Sequence, residues 1–371
     1  KEKGGSVFRY LQPLPQIFKM LKYSKVAKVA IDIRPLITGH AQRGIGAYTK
    51  HLTNEFKKGK WHLQFEFFES PTSPPPVSLI HHPYFDLFFH TLPIRKTTTR
   101  GVTIHDVIPL VFPEHFPIGI RGRLALFLQK RALKNTDFVI CDSQNSKIDI
   151  EEKLGVSSDR IEVIYLAAGE NFKKINDKKL LEHSRIRLKL PEKFVLYVGD
   201  VNWHKNLEGL LAAIAKIKTP TVLVGSAITD SNIEETKIID EQIRKNNLSE
   251  IITKIGFLEE KDLIAIYNLA EVTVLPSFYE GFGLPVIESM ACGTPVVCSN
   301  IASLTEIAER AAIFCNPHDE RDIAQKIDYV LNLSPPEKEK LQEKSEEAAR
   351  RFSWGKTAQK TVEVYQKYLR G

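Results

Sequence analysis

Short runs of mostly apolar residues recur along the chain. Each is followed by a loop and then by a stretch whose apolar positions fall three and four apart. The runs at 28–33, 86–91, 101–106, 137–142 and 161–165 have the length and composition of strands buried on both faces. The stretches at 48–56, 121–134 and 143–154 carry the helical period. This alternation predicts an α/β fold built on a doubly wound parallel sheet. A segment rich in Lys and Arg, 171–193, ends at Pro191 and reads as a linker. Beyond it the pattern restarts, with strands at 194–198, 221–224, 251–255 and 272–275 and helices at 207–217 and 260–270. A second series of this kind implies a second Rossmann-like domain. The expected organisation is a basic arm (1–25, broken by Pro13 and Pro15), one domain at 26–190, another at 191–350, and a closing helix within 351–371.

Composition narrows the class. At 371 residues the chain is long enough for two cores, and 43% hydrophobic with 26% charged residues is the balance of a soluble globular protein. No apolar run approaches the roughly 18 residues that would span a bilayer, and no secretory pattern opens the sequence. Cys141, Cys292, Cys298 and Cys315 form no C-x-x-C pair. They read as reduced, buried thiols of a cytoplasmic protein and speak against a cysteine-built zinc site.

The net charge of +7 is unevenly spread. Residues 1–190 hold 31 Lys and Arg against 18 Asp and Glu, and residues 191–371 hold 21 against 27. A basic half beside an acidic half points to an anionic partner of the first half. No nucleic-acid-binding motif accompanies the charge. An anionic membrane surface or a phosphorylated lipid acceptor fits better, the alternative being a solvated basic face. The segment that would carry such a contact is 121–134, with Arg121, Arg123, Lys130, Arg131 and Lys134.

The chemistry concentrates at 271–300, EVTVLPSFYEGFGLPVIESMACGTPVVCSN. This reads as strand, glycine-rich loop, short helix and second buried strand. Pro285 suits a first helical position, Gly293 the residue just past the last turn, and Pro295 forbids continuation. Glu280 stands in the loop and Glu288 one turn into the helix. Between them Gly281, Phe282 and Gly283 let the backbone approach a ligand and aim N–H groups at an anion, beside the positive end of the helix dipole. On spacing alone, two carboxylates that merely cap a helix remain an alternative.

The wording of the segment goes further than its spacing. SFYEGFGLPVIESMACGTPVVCSN resembles the signature of the retaining glycosyltransferases of family four. The resemblance implies a GT-B architecture, two facing Rossmann-like domains with a nucleotide-sugar donor between them, and a last helix that crosses back to the first domain. It implies that Glu280 meets donor-sugar hydroxyls and Glu288 the ribose. The backbone from Gly281 and Phe282 through Gly283, Leu284 and Pro285 would meet sugar and diphosphate. Lys205, just before a helix, matches the lysine that clamps the donor phosphates. Gly44 and Gly46, in the weak G-x-G after the first strand, match a glycine turn that approaches the diphosphate from across the cleft. His105, at the end of the strand 101–106, matches a histidine at the donor sugar, with Asp106 beside it. Gly225, Phe257 and Leu258, in the turns closing the strands 221–224 and 251–255, match positions near the nucleotide. The chain departs from the family's usual pattern at Asp200 and Ala47, where many members carry Arg, which puts part of the phosphate clamp and some acceptor contacts in doubt.

The resemblance implies retaining, metal-independent transfer of a hexose from a nucleotide diphosphate sugar to a glycan or lipid-linked acceptor, with no cofactor; the residues do not read out the donor, and GDP-mannose is placed ahead of UDP-hexoses. A leaving diphosphate would be stabilised by Lys205, the loop amides and the helix dipole, and no D-x-D tripeptide is present to hold a metal. Two readings of other classes stand beside this one. A sugar-nucleotide-binding protein without turnover could dispense with Glu280 and His105, yet both are present. A dinucleotide oxidoreductase would want a full G-x-G-x-x-G, which Gly44-Ile45-Gly46 does not supply. A glycosidase would need two carboxylates flanking the scissile bond, and here one is committed to ribose.

Overall fold

The computed structural model describes residues 26–39, 41, 44–69 and 75–370. The basic arm 1–25 lies outside them. Among the described residues, twelve strands form two separate six-stranded sheets, all parallel. The first comprises β1 (Lys28–Asp32), β2 (Gln64–Phe68), β3 (Leu79–His82), β4 (Thr99–Thr103), β5 (Phe138–Cys141) and β6 (Ile161–Val163), in the order 2-1-3-4-5-6. The second comprises β7 (Val195–Val198), β8 (Thr221–Val224), β9 (Ile252–Ile255), β10 (Val272–Leu275), β11 (Val296–Ser299) and β12 (Ile313–Cys315), in the order 9-8-7-10-11-12. Helices flank both sheets, as the apolar character of the central strands requires: β3, β5, β8, β10 and β11 are buried along their whole length. Two facing α/β domains are the architecture expected.

In each sheet the strand order reverses once, between β1 and β3 and between β7 and β10. Neighbouring crossovers there leave to opposite faces and open a crevice beyond the strands' carboxyl ends, where ligands bind in open parallel sheets. The loops after β7 and β10 carry Lys205 and Glu280, and the loops after β4 and β5 carry His105 and Asp142.

The final helix, Trp354–Arg370, packs against the helix Gly44–Lys58 of the first domain. Buried Tyr365 shares a hydrogen bond of 2.5 Å with His81 Nδ1, and Thr357 Oγ1 donates to the Tyr165 carbonyl at 2.8 Å. Burial pushes the His81 pKa down to about 3, so the imidazole sits neutral between Tyr365 and Thr103.

Three expectations need correction. No strand forms at 86–91: the Asp86 carboxylate accepts from the N–H groups of Phe88 and Phe89 and folds the segment into a turn. The strand lies earlier, at β3, where His81 and His82 interrupt the apolar run in sequence yet are buried by hydrogen bonds to Tyr365, Thr103 and Asp32. The stretch read as a linker contains the helix Lys178–Arg187, capped by Asp177, which packs on the helix Glu260–Leu269 through an Arg187–Asp262 ion pair. The first-domain helix also begins earlier than 48, at Gly44, so both glycines of the G-x-G lie in its first turn.

Candidate active site

The loop after β7 holds Lys205 by a specific device. Asn206 adopts a left-handed conformation (φ 53°) and caps the helix Leu207–Ile217 through the Gly209 N–H. Its amide nitrogen donates to the carbonyls of Pro276 and Pro317 at 2.9 and 2.8 Å. The loops after β7 and β10 are thereby tied together, and Lys205 Nζ reaches both oxygens of Glu280 at 2.8 and 2.9 Å. Ser277 Oγ donates to Glu280 Oε1 at 2.7 Å. Burial pushes the Glu280 carboxyl up, but the Lys205 ammonium, His204 and Ser277 outweigh it and hold it below the ordinary range. The side chains are 16% and 7% exposed, so this is a fixed dipole in a dry setting and not a surface pair.

The glycine loop follows. Three of its carbonyls lie against hydroxyls: Ser303 Oγ is 2.9 Å from both Glu280 O and Phe282 O and shares its one proton between them, while Ser143 Oγ and Ser146 Oγ, from the other domain, reach Gly281 O at 2.7 and 3.1 Å. Among the described residues, the N–H groups of Gly281, Phe282, Gly283 and Leu284 find no acceptor. Gly281, Phe282 and Gly283 are buried and Leu284 is half-buried; unpartnered donors in such a setting are costly, and four in succession leading into a helix have the character of an anion site. Gly283 has φ +102°, which side-chain-bearing residues rarely adopt. A Cβ on Gly281 would come within 2.8 Å of Asp106 Cβ and 3.0 Å of the His105 carbonyl, so the two domains touch at this residue.

Glu288 lies one turn into the helix Leu284–Ala291 and accepts from the buried Tyr267 hydroxyl at 2.9 Å. Burial raises its pKa to about 7 against the opposing Tyr267 bond.

From the facing domain, His105 Nδ1 is 2.6 Å from Asp142 Oδ2, and its ring packs edge-on to Tyr48 with centroids 4.8 Å apart. Burial lowers the imidazole pKa, yet the Asp142 carboxylate more than compensates and the net shift is upward. Asp106 accepts from the Ile108 N–H, and burial raises its pKa. The closed arrangement is held at further points. Glu306 accepts from the N–H groups of Gln144 and Asn145 at 2.9 Å each, capping a helix of the opposite domain. Tyr279 donates to Asp149 at 2.8 Å. Trp203 stacks on His115 and Phe278, and Phe112 packs on Trp203 and Tyr279.

The structure thus pairs Lys205 with Glu280 and sets the glycine loop against the backbone of His105 and the side chain of Asp106 from the facing domain. Gly44 faces Leu284 across it, with a built Cβ 3.9 Å from Leu284 Cδ1, while Gly46 is buried inside its helix. Gly225 closes β8, where the Gly199 carbonyl leaves no room for a Cβ. Phe257 and Leu258 follow β9, two strands from β7 on the same edge; Phe257 is exposed. Asp200 turns back to its own loop, its carboxylate accepting from Val201 N–H. Sequence reasoning missed Asp142, Ser143, Ser146, Tyr267, Ser277, Ser303 and Glu306. Asp142 and Ser143 alone carried a signal, because they end a strand whose carboxyl edge faces the cleft.

Two parallel α/β domains, each with one topological switch point and with a glycine loop of one packed against the other, define a two-domain α/β architecture of the Rossmann-like kind. The model of the family described as Glycosyl transferases group 1 matches residues 179–352, and that described as Glycosyltransferase Family 4 matches residues 69–167. The chain belongs to the group 1 glycosyl transferases. It is 30% identical over 293 residues to the serotype-specific mannosyltransferase WbdA of Escherichia coli, covering 76% of this chain and 35% of that protein, so it spans about a third of that relative's length. It is 28% identical to O-antigen chain mannosyltransferase B of Escherichia coli, over 76% of this chain and 74% of that one. Among solved structures, sucrose-phosphate synthase from Thermosynechococcus elongatus superposes with a TM-score of 0.73 at 22% identity, covering 92% of this chain and 98% of the other. HepE of Anabaena, in complex with UDP and glucose, gives 0.71 at 18% identity over 92% and 100%. These likenesses establish the shared GT-B fold.

Proposed function

We propose that the protein is a hexosyltransferase that moves a sugar from a nucleotide diphosphate donor, a GDP- or UDP-hexose, to a glycan or lipid-linked acceptor. The observation that carries this reading is the Lys205–Glu280 pair beside four unpartnered N–H groups, with the His105–Asp106 segment of the other domain packed against the same loop at Gly281. Mannose stands first because two of the relatives are named mannosyltransferases; GDP-mannose is then the leading donor.

In this reading the diphosphate lies against the 281–284 amides and Lys205, where fixed positive potential meets the negative charge that grows as the C1–O bond breaks. Glu280 and His105 orient the sugar hydroxyls, and Glu288 accepts from the ribose. The acceptor hydroxyl attacks the face that the leaving group departs, giving its proton to the leaving phosphate oxygen, so that the anomeric configuration is retained. Lys205 and the amides take the part that a divalent ion plays elsewhere, and transfer proceeds without a metal or other cofactor.

The lipid-linked acceptor would be met at an anionic membrane surface on the cytoplasmic side. The helix Ile120–Lys134 supports this: Ile120, Leu124 and Phe127 are exposed in one stripe, Arg121, Arg123, Arg131 and Lys134 flank it, and the helix has no acidic residue. Among the described residues no helix is long and apolar enough to cross a membrane.

The test is a panel of nucleotide sugars with the purified protein in EDTA, read by thermal shift, donor hydrolysis and the anomeric proton coupling of any product. Stabilisation and turnover by GDP-mannose are expected. Stabilisation without turnover on any donor and acceptor would favour the non-catalytic binding protein, and no response to any nucleotide sugar would remove the reading altogether.

A further inference from the structure

We infer that Ser143 and Ser146 of the first domain are positioning residues for the donor diphosphate, which binds on the second domain. The inference rests on the functional reading above. It concerns which groups hold the anion loop in its binding shape.

The carbonyls of Glu280 and Phe282 share the proton of Ser303, from the same domain as the loop. The carbonyl between them, that of Gly281, has no hydroxyl from its own domain. It is held by Ser143 Oγ at 2.7 Å and lies 3.1 Å from Ser146 Oγ. Both serines are fully buried and stand at the start of the helix Gln144–Leu154, where Ser143 is the N-cap and accepts from the Ser146 N–H at 3.0 Å. Each hydroxyl has one proton. Ser143 Oγ has the Gly281 carbonyl at 2.7 Å and Ser146 Oγ at 3.1 Å within reach of its one proton, and the shorter contact is the one to Gly281. The Ser146 proton lies between the carbonyls of His105 (3.0 Å) and Gly281 (3.1 Å).

A peptide unit is planar, and its C=O and N–H point in opposite directions. Fixing the Gly281 carbonyl toward the first domain therefore fixes the Phe282 N–H in the opposite sense. That N–H is one of the four without a partner. Gly281 has little stiffness of its own, so without the two hydroxyls its peptide can rotate and the row of N–H groups loses its alignment. The same Ser146 hydroxyl touches the carbonyl of His105, so one serine registers the sugar-side histidine and the phosphate-side loop against each other. The consequence is that the diphosphate site on the second domain is complete only while the first domain is docked on it.

The experiment measures calorimetric affinities for GDP and UDP, and for the parent nucleosides, in the wild type and in Ser146→Ala, Ser143→Ala and Ser143→Thr. Ser146→Ala leaves the helix cap in place and carries the test if Ser143→Ala unfolds. The expected result is a loss of about tenfold in diphosphate affinity in each Ala variant, with nucleoside affinity unchanged and Ser143→Thr near wild type. Equal loss for nucleoside and diphosphate would reduce the serines to a structural role and overturn the inference, as would unchanged diphosphate affinity in both Ala variants. A wild type that binds no nucleotide overturns the functional reading and this inference with it; a wild type that binds while the variants bind equally overturns this inference alone.

Discussion

The Lys205 ammonium sits 2.8 and 2.9 Å from the two oxygens of Glu280, spanning 75 positions of sequence to close an ion pair nearly out of water. Such a pair is costly to break from one side, since the remaining charge stays buried without a partner. Lys205→Ala should therefore destabilise the fold by about 3 kcal/mol and also abolish most transfer. Glu280→Gln keeps the volume and should cost about 100-fold in kcat. The double variant Lys205→Met with Glu280→Gln removes both charges, so its stability should return toward wild type while its activity does not. Urea unfolding beside single-turnover transfer separates the two effects; recovery of activity in the double variant would remove both residues from the chemistry.

Glu288 predicts a pH dependence of nucleotide binding. Its pKa is raised to about 7, so the carboxyl is neutral below that pH and ionised above it. The ionised form accepts ribose hydroxyls more strongly, and affinity for GDP or UDP should rise between pH 6 and pH 8. For stability the sign is opposite. A raised carboxyl pKa gives a contribution that is complete below the unfolded value near 4.5 and is lost as pH climbs through 7. Tyr267→Phe removes a hydrogen bond that favours the ionised form. It should move the rise in affinity to higher pH, and it should leave 2′,3′-dideoxynucleotides unaffected. Equal effects on both nucleotides would show that Tyr267 does not act through the ribose.

Asp142→Asn should lower the His105 pKa, because the carboxylate 2.6 Å from Nδ1 is what holds it above the usual value. With Asp142 in place, the stability contributed by the pair is complete below pH ~6.5 and fades as pH rises through the elevated pKa; the variant should lose that window. Imidazole titration by NMR reads the shift directly. A transfer rate about tenfold lower is expected, with nucleoside binding unchanged.

Gly281→Ala tests the closed arrangement. The added methyl would meet Asp106 Cβ at 2.8 Å and the His105 carbonyl at 3.0 Å, neither of them the far end of a flexible side chain. The domains must separate or the loop must shift. Small-angle scattering should show a larger radius of gyration and transfer should fall, while thermal unfolding of each domain's core changes little. An unchanged radius with full activity would mean that the contact at Gly281 is dispensable.

What could be read beforehand divides along physical lines. The placement of Glu280 and Gly281 in a loop and of Glu288 one turn into the next helix was legible because strand, loop and helix follow one another within thirty residues, so spacing carries geometry. The same locality fixed Lys205 as a helix-start cation. Partners that depend on strand order were not legible. Asp142 meets His105 only because β4 pairs with β5, and Tyr267 meets Glu288 only because two helices lie side by side on the second sheet. The strand at β3 was hidden for another reason. His81 and His82 look like solvent-facing residues until Tyr365, 284 positions away from His81, and Asp32 supply their hydrogen bonds. The helix Lys178–Arg187 was masked by its polarity: it buries little beyond Ser184, and its clearest sign was the Asp177 cap.

The last prediction concerns the helix Ile120–Lys134. Ile120 is 88% exposed, Leu124 60% and Phe127 62%, and a mutation at such positions should leave folding within about 0.5 kcal/mol of wild type. Phe89, 71% exposed, belongs to the turn that Gln129 of this helix binds through the Asp86 carbonyl and Thr91 Oγ1. A bilayer would take the apolar stripe into its headgroup boundary while each flanking Arg or Lys gains about 1 kcal/mol from anionic lipid. Leu124→Glu with Phe127→Glu should therefore abolish sedimentation with phosphatidylglycerol vesicles, and Arg121→Glu with Arg123→Glu should make it steeply salt-dependent. Neither pair should alter donor hydrolysis in solution, because the helix carries none of the groups at the cleft. Transfer to a lipid-linked acceptor presented in vesicles should fall with membrane binding, whereas transfer to a soluble glycan should not. Wild-type protein that ignores anionic vesicles at low salt would show that the stripe faces something other than a membrane.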